Sequence, residues 1–215
     1  ALGASLPLYV GTPVNGFFRC AGERGAGVAL VLALAQHFSR GPRHCTTLCR
    51  RRCHSLLFGF TVGHEMGDAG LRAAMLPHLA RYGHNTPFVS VGANLGVHAR
   101  FDGNNAEGRG RGTATVSVSS TLGADELTTA FGQMGDLPFV SFEGATMDRA
   151  NWSTATGASR WPLSYGFPVI NLLARDFDRF HLPSDGEGSV NVTALNALTM
   201  SVAEALQAYM CSGTC

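Results

Sequence analysis

An α/β fold, a three-layer α/β/α sandwich around a mixed, mostly parallel sheet, is predicted by three observations. Apolar runs of strand length recur at Leu56 to Val62, Phe88 to Val97 and Phe167 to Ala174, and strands buried on both faces read as such near-continuous runs. Segments with helical apolar spacing alternate with them at Val28 to Phe38, Asp68 to Tyr82 and Thr193 to Met210. Gly/Pro/Asn turns punctuate the boundaries. Strands alternating with helices imply a largely parallel sheet covered on both sides, with right-handed crossovers wherever neighbours run parallel. At 215 residues and 45% hydrophobic composition, residues 1–215 are expected to form one domain with a sizeable core.

Along the chain, Leu6 to Gly11 reads as a short strand running into the turn Gly11-Thr12-Pro13-Val14-Asn15-Gly16. Gly22 to Gly27 then opens a helix, and from Val28 to Phe38 the apolar residues run all the way round, which predicts a helix buried against a sheet and a second layer. Ser39 to His54 is basic and without apolar periodicity; it is too long for an ordinary helix-to-strand link and reads as a Cys-rich insertion. In Ser55 to Leu71, seven of the eight residues after Ser55 are apolar or Gly. This predicts a central strand buried on both faces, with His64-Glu65 at its carboxyl end, where open α/β sheets place ligands and catalytic groups.

The next helix, Asp68 to Tyr82, presents Leu71, Met75, Leu76 and Leu79 and ends at Gly83. Phe88 to Val97 is a second buried strand, followed by an exposed Gly/Asn/Arg loop at Asp102 to Gly112. Thr113 to Ser119 alternates and is expected at an edge or in a hairpin. Ala124 to Met134 reads as helical, Phe139 to Phe142 fits no single class, and Phe167 to Ala174 is the last strand. In the closing helix Leu195, Leu198, Val202, Leu206 and Met210 mark one face, with Asn191 or Thr193 placed to cap it.

Charge narrows the partner classes. Sixteen basic residues, all Arg, face fifteen acidic ones for a formal net charge of +1, so no global field draws the protein to nucleic acid. No apolar run approaches the roughly 18 residues of a membrane span. Six cysteines (Cys20, Cys45, Cys49, Cys53, Cys211 and Cys215) and sequons at Asn151 and Asn191 lean toward the secretory pathway lumen or the extracellular space. Cys45, Cys49 and Cys53 are spaced four apart, unlike the paired C-x2-C of structural zinc sites; disulfides or free thiols are the better reading, with metal as the alternative. Arg50-Arg51-Arg52 reads as a solvated face. Gly22 to Gly27 spells G-x-x-G-x-G, not the dinucleotide fingerprint, and no P-loop, G-x-S-x-G elbow or H-E-x-x-H occurs.

Three stretches, in order, resemble the co-catalytic zinc aminopeptidase family, whose relatives include glutaminyl cyclase and the metal-free peptidase-like domain of nicastrin. Gly22-Glu23-Arg24-Gly25-Ala26-Gly27-Val28 is similar to the family's G-x-D-N-x-S-G-V turn and helix. Leu56 to Gly67 is similar to its strand ending in two Glu. Gly166-Phe167-Pro168-Val169-Ile170 with Phe180-His181-Leu182-Pro183-Ser184-Asp185 is similar to its G-[IV]-P strand and H-T-x-x-D loop. The stretch from Phe101 to Trp161 is poorly matched.

The resemblance implies a ligand set, and the sequence departs from it. The ligand Glu is matched by Glu65 and the late His by His181, while the bridging Asp is matched by Glu23, one methylene longer. His64 stands at the general-base Glu, about Thr12 at the first-loop His, and Gly96 of Asn94-Leu95-Gly96 at the second Asp. No His precedes His37 and no Asp precedes Asp68, so a paired zinc centre is not expected. The reading that follows is a non-catalytic aminopeptidase-like domain without cofactor, binding protein or peptide partners as a subunit of a larger assembly. The alternative is a mononuclear zinc hydrolase or cyclase acting on peptide N-termini, with Glu23, Glu65 and His181 as metal ligands and His64 as catalytic proton carrier.

Overall fold

Residues 6–40, 55–99, 112–148, 157–175 and 177–211 are described by a computed structural model. Along the chain these form β1 (Leu8–Pro13), α1 (Ala26–Ser39), β2 (Leu56–Thr61), α2 (Ala69–Tyr82), β3 (Phe88–Val91), β4 (Val116–Thr121), α3 (Asp125–Gly132), β5 (Val140–Met147), α4 (Arg160–Ser164), β6 (Val169–Ala174) and α5 (Val192–Cys211). The strands make one sheet in the order β2-β1-β3-β6-β4-β5. All neighbours are parallel except β4 and β6, which are antiparallel.

The period-two alternation of the strands builds the three layers. Leu8 and Val10, Val89 and Val91, and Ile170 and Leu172 face a core cluster shared with Leu30, Val31 and Leu34 of α1, Phe131 of α3 and Leu198, Val202 and Leu206 of α5. Tyr9, Phe88 and Val169 face the other side, where they meet Leu71 and Met75 of α2 and Leu163 of α4. Successive residues of β1, β3 and β6 thus bury into opposite clusters, as strands covered on both faces must. The α/β/α sandwich around a mixed, mostly parallel sheet is as predicted.

Several elements sit differently from the sequence expectation. β2 is not central: among the described residues it pairs only with β1, so it is an edge strand with Leu57 and Phe60 exposed. An apolar run in an edge strand carries the same local pattern as one in a central strand, and only pairing distinguishes them. The converse error holds for β4, which lies between β6 and β5 rather than at an edge. Its polar residues mislead because they are bonded internally: Ser120 Oγ is 2.7 Å from Thr128 Oγ1, and Thr121 Oγ1 accepts from Val169 N at 2.8 Å. The outer edge there belongs to β5, whose residues alternate in burial.

Helix α1 buries one stripe (Ala26, Gly27, Leu30, Val31 and Leu34) against β1 and α5, while Leu32 is 54% exposed. Leu76 of α2 is likewise exposed, and His78 joins Leu71 and Met75 on the buried face. β3 ends at Val91, and residues 92–97 continue as a buried loop. Asn191 does cap α5, its Oδ1 accepting from Ala194 N at 3.1 Å. Cys45, Cys49, Cys53, the arginine run at 50–52, most of the expected insertion, the 102–111 loop and the Asn151 sequon lie outside the described residues. No helix among the described residues is long and apolar enough to cross a membrane.

Candidate functional site

Because β1, β2, β3 and β6 run parallel, their carboxyl ends open on one side of the sheet, and the four segments that follow them meet there. The segment after β1 ends in a wide, π-helical turn at Ala21–Gly25 that leads into α1. Asp185, from the segment after β6 and only 1% exposed, holds that turn: its two carboxylate oxygens accept from Gly22 N at 2.7 Å and Glu23 N at 2.9 Å. A carboxylate on free N–H groups at the start of a helical segment is favourable both as a charge-assisted bond and against the helix dipole. Gly22 is required for the approach, since a Cβ there would lie 2.9 Å from Asp185 Oδ1 and 2.8 Å from Phe177 Cζ.

Glu23 is fully buried at this turn, and neither of its carboxylate oxygens has a hydrogen-bond partner among the described residues, nor do the neighbouring Arg24 Nε and His181 Nε2. Glu23 Oε1 lies 3.3 Å from His181 Nε2. His181, in the left-handed region at φ 60°, is half-buried between two rings, stacked on Phe180 at 3.8 Å and tilted against Phe17 at 4.4 Å. The third donor, Glu65, sits in a short turn, His64–Met66, after edge strand β2. Gly63 and Gly67, with φ of 74° and 69°, bracket the turn in a conformation that other residues rarely adopt. One ligand atom each from Glu23, Glu65 and His181 can be chosen so that all lie within 4.8 Å of one another. The structure therefore brings together the three residues that the sequence nominates as metal ligands.

The residues nominated at the remaining family positions are committed elsewhere. Thr12 is buried at the end of β1. Asn94 donates through Nδ2 to Ala174 O at 3.0 Å, and a Cβ at Gly96 would meet Leu195 Cβ at 2.8 Å, so no carboxylate fits there. His64 pairs through Nδ1 with Asp68 one turn later, and its backbone N–H donates to Asn15 Oδ1 at 3.1 Å. Cys20, which precedes the Glu23 turn, is a free thiol held above its ordinary pKa by burial and by the nearby Glu23 and Asp185 carboxylates, which keeps it protonated and weakly nucleophilic.

One residue of the site was missed in the sequence. Arg24 is 4% exposed in its side chain; its Nε lies 3.3 Å from Glu23 Oε1, and its Nη2 donates to Glu65 Oε1 at 3.3 Å. The available signal was that Arg24 replaces the Asn beside the bridging acid of the family motif, putting a fixed positive charge next to the acid. Two oxygens and one nitrogen make a reasonable donor set for one zinc ion. The Arg24 guanidinium stands beside both carboxylates, a fixed positive charge next to that donor set.

Comparison with solved structures agrees with the fold. A peptidase M28 precursor from Shewanella amazonensis superposes with a TM-score of 0.65 at 16% identity, covering 100% of this chain and 43% of that one. The fold is that of the zinc aminopeptidases. BSAP, a zinc aminopeptidase from Bacillus subtilis, gives 0.62 at 15% identity over 95% of this chain and 46% of its own. The gamma-secretase component nicastrin gives 0.63 at 11% identity over 93% and 39%. The chain thus spans about half or less of each of these neighbours. No family model and no curated protein matches the sequence. Within this zinc aminopeptidase-like fold, the cluster of Glu23, Arg24, Glu65 and His181 occupies the carboxyl ends of the parallel strands.

Proposed function

We propose that residues 1–215 act as a non-catalytic aminopeptidase-like domain, a protein-binding or structural subunit of a larger assembly in the secretory lumen or outside the cell. The observation that carries this reading is that the groups at the remaining catalytic and metal positions are all engaged otherwise. Thr12 is buried, Gly96 has no room for a side chain, and a histidine, His64, paired through Nδ1 with Asp68, stands where the family has its base Glu. A co-catalytic centre needs a second set of metal donors, and neither Thr12 nor Gly96 supplies a His or a carboxylate for it.

The rim of the site supports a binding role. Phe17, Phe18, Met66, Phe180 and Leu182 are exposed on the segments that carry the cluster, an apolar surface of the kind that protein or peptide partners cover. The experiment is to load purified protein with zinc and assay release of amino acids, or cyclisation, from peptide N-termini. No turnover is expected, and zinc-dependent turnover abolished by His181→Ala would overturn the reading.

A second reading is favoured by the convergence of Glu23, Glu65 and His181. With Arg24 displaced, these three could hold one zinc, which would supply an activated water, and His64 could carry protons. That reading predicts turnover in the same assay.

A further inference from the structure

The site contains its own cation. We infer that Arg24 is the resident counter-ion of the Glu23, Glu65 and His181 cluster, a guanidinium built into the chain where a divalent metal would otherwise sit, and that it excludes the metal. This deepens the reading above by naming what holds the degenerate site together, and it rests on that reading's placement of the cluster.

Two carboxylates from different strand ends converge on one positive group. Glu23 is fully buried, and a buried carboxylate without a counter-charge is strongly unfavourable. Arg24 answers it from the adjacent position and reaches across to Glu65, so the fork of its guanidinium joins the turn after β1 to the turn after β2. The side chain is seated rather than borrowed from solvent. A Cβ at Gly16 would lie 2.9 Å from Arg24 Cγ and 3.0 Å from Cys20 Cβ, so the missing side chain at Gly16 makes the channel through which the Arg24 stem passes.

A zinc ion bound to Glu23 and Glu65 at about 2 Å would stand beside a guanidinium whose Nε and Nη2 each lie 3.3 Å from an oxygen of one of those carboxylates. With both cations at the same pair of carboxylates in a partly buried site, like-charge repulsion opposes the ion directly. The structural service that zinc gives in a metal site, tying together loops from different strands, is here given by an arginine.

The test is zinc binding to chelator-treated protein by calorimetry, with thermal unfolding measured in parallel. Arg24→Gln removes the charge and keeps a shorter polar side chain on the same stem. It is expected to melt below wild type without metal, to bind one zinc about a hundredfold or more tightly than wild type, and to regain melting temperature when zinc is added. Zinc should leave the wild-type melting temperature unchanged. Arg24→Lys, which keeps the charge, should resemble wild type toward zinc, and His181→Ala added to Arg24→Gln should abolish the new binding.

If Arg24→Gln is unfolded without metal, recovery of its native circular dichroism by zinc carries the inference, and failure of zinc to recover it overturns it. Equal zinc affinity in wild type and Arg24→Gln also overturns it. These results are separable from the function assay: wild type that binds zinc without turnover sinks the Arg24 inference alone, whereas turnover by wild type sinks the non-catalytic reading.

Discussion

The two acidic arms of the site are built in different ways. The Glu23 arm is a rigid turn between a buried strand and a long helix; its backbone is fixed by Asp185, and its side chain is wholly out of solvent. The Glu65 arm follows an edge strand, is shaped by two left-handed glycines, and leaves the Glu65 side chain 32% exposed. Arg24 belongs to the first arm and reaches the second. The contrast teaches that the energy of the cluster is concentrated on one side: the Glu23 turn is set by the fold, and the Glu65 turn is adjusted to it.

Removing the support of the rigid arm should have the largest effect. Asp185→Ala deletes two charge-assisted bonds to buried backbone N–H groups, and at about 1.5–3 kcal/mol for each such bond it is expected to destabilise the protein by roughly 4 kcal/mol. Chemical denaturation should show this as a lower midpoint with little change in slope. A loss below about 1 kcal/mol would mean that the turn is held by α1 rather than by Asp185, and the contrast between arms would weaken.

A matched pair of substitutions measures the asymmetry itself. Glu23→Gln breaks a fully buried ion pair from one side and leaves Arg24, 4% exposed, with half of its counter-charge; a loss of about 3 kcal/mol is expected. Glu65→Gln leaves Arg24 paired with Glu23 and touches a partly exposed contact, so about 0.5 kcal/mol is expected. Equal losses in the same denaturation assay would refute the asymmetry.

The same difference governs what could be read from the sequence. The layered α/β fold was legible because alternation within β1, β3 and β6 sends neighbouring residues into two cores, and that leaves continuous apolar runs such as Phe88 to Val91. Strand order was not. Leu56 to Thr61 looks central and is an edge, whereas the Ser-rich β4 looks peripheral and is interior, because pairing is a non-local property that side-chain pattern reports only through burial. Glu23, Glu65 and His181 were nominated through their motif positions and do converge. Arg24 went unnoticed because an arginine beside a glutamate usually points to solvent, and only the tertiary structure, with Gly16 open above its stem, turns it inward.

The finest test uses pH to loosen the exposed arm through a residue outside the cluster. Helix α2 carries the chain away from the Glu65 turn, and it is anchored by His78, a buried ring packed near Tyr9, Tyr82 and Phe167 whose Nε2 has no hydrogen-bond partner among the described residues. Burial pushes the imidazole below its ordinary pKa. The unfolded chain therefore takes up a proton at His78 before the folded chain does. Stability from this residue is complete above the unfolded value of about 6.5 and falls as pH drops through that value toward the lower folded one. His78→Phe should remove that part of the pH slope, so the difference between the two proteins isolates it from other titrating groups. Hydrogen exchange should locate the effect: as pH falls, protection, corrected for intrinsic exchange rates, should decline in α2 before α1, because His78 is buried in the packed face of α2 while the Asp185-held turn secures the start of α1. If α1 loosens first or the slope persists in His78→Phe, the two arms are not mechanically distinct.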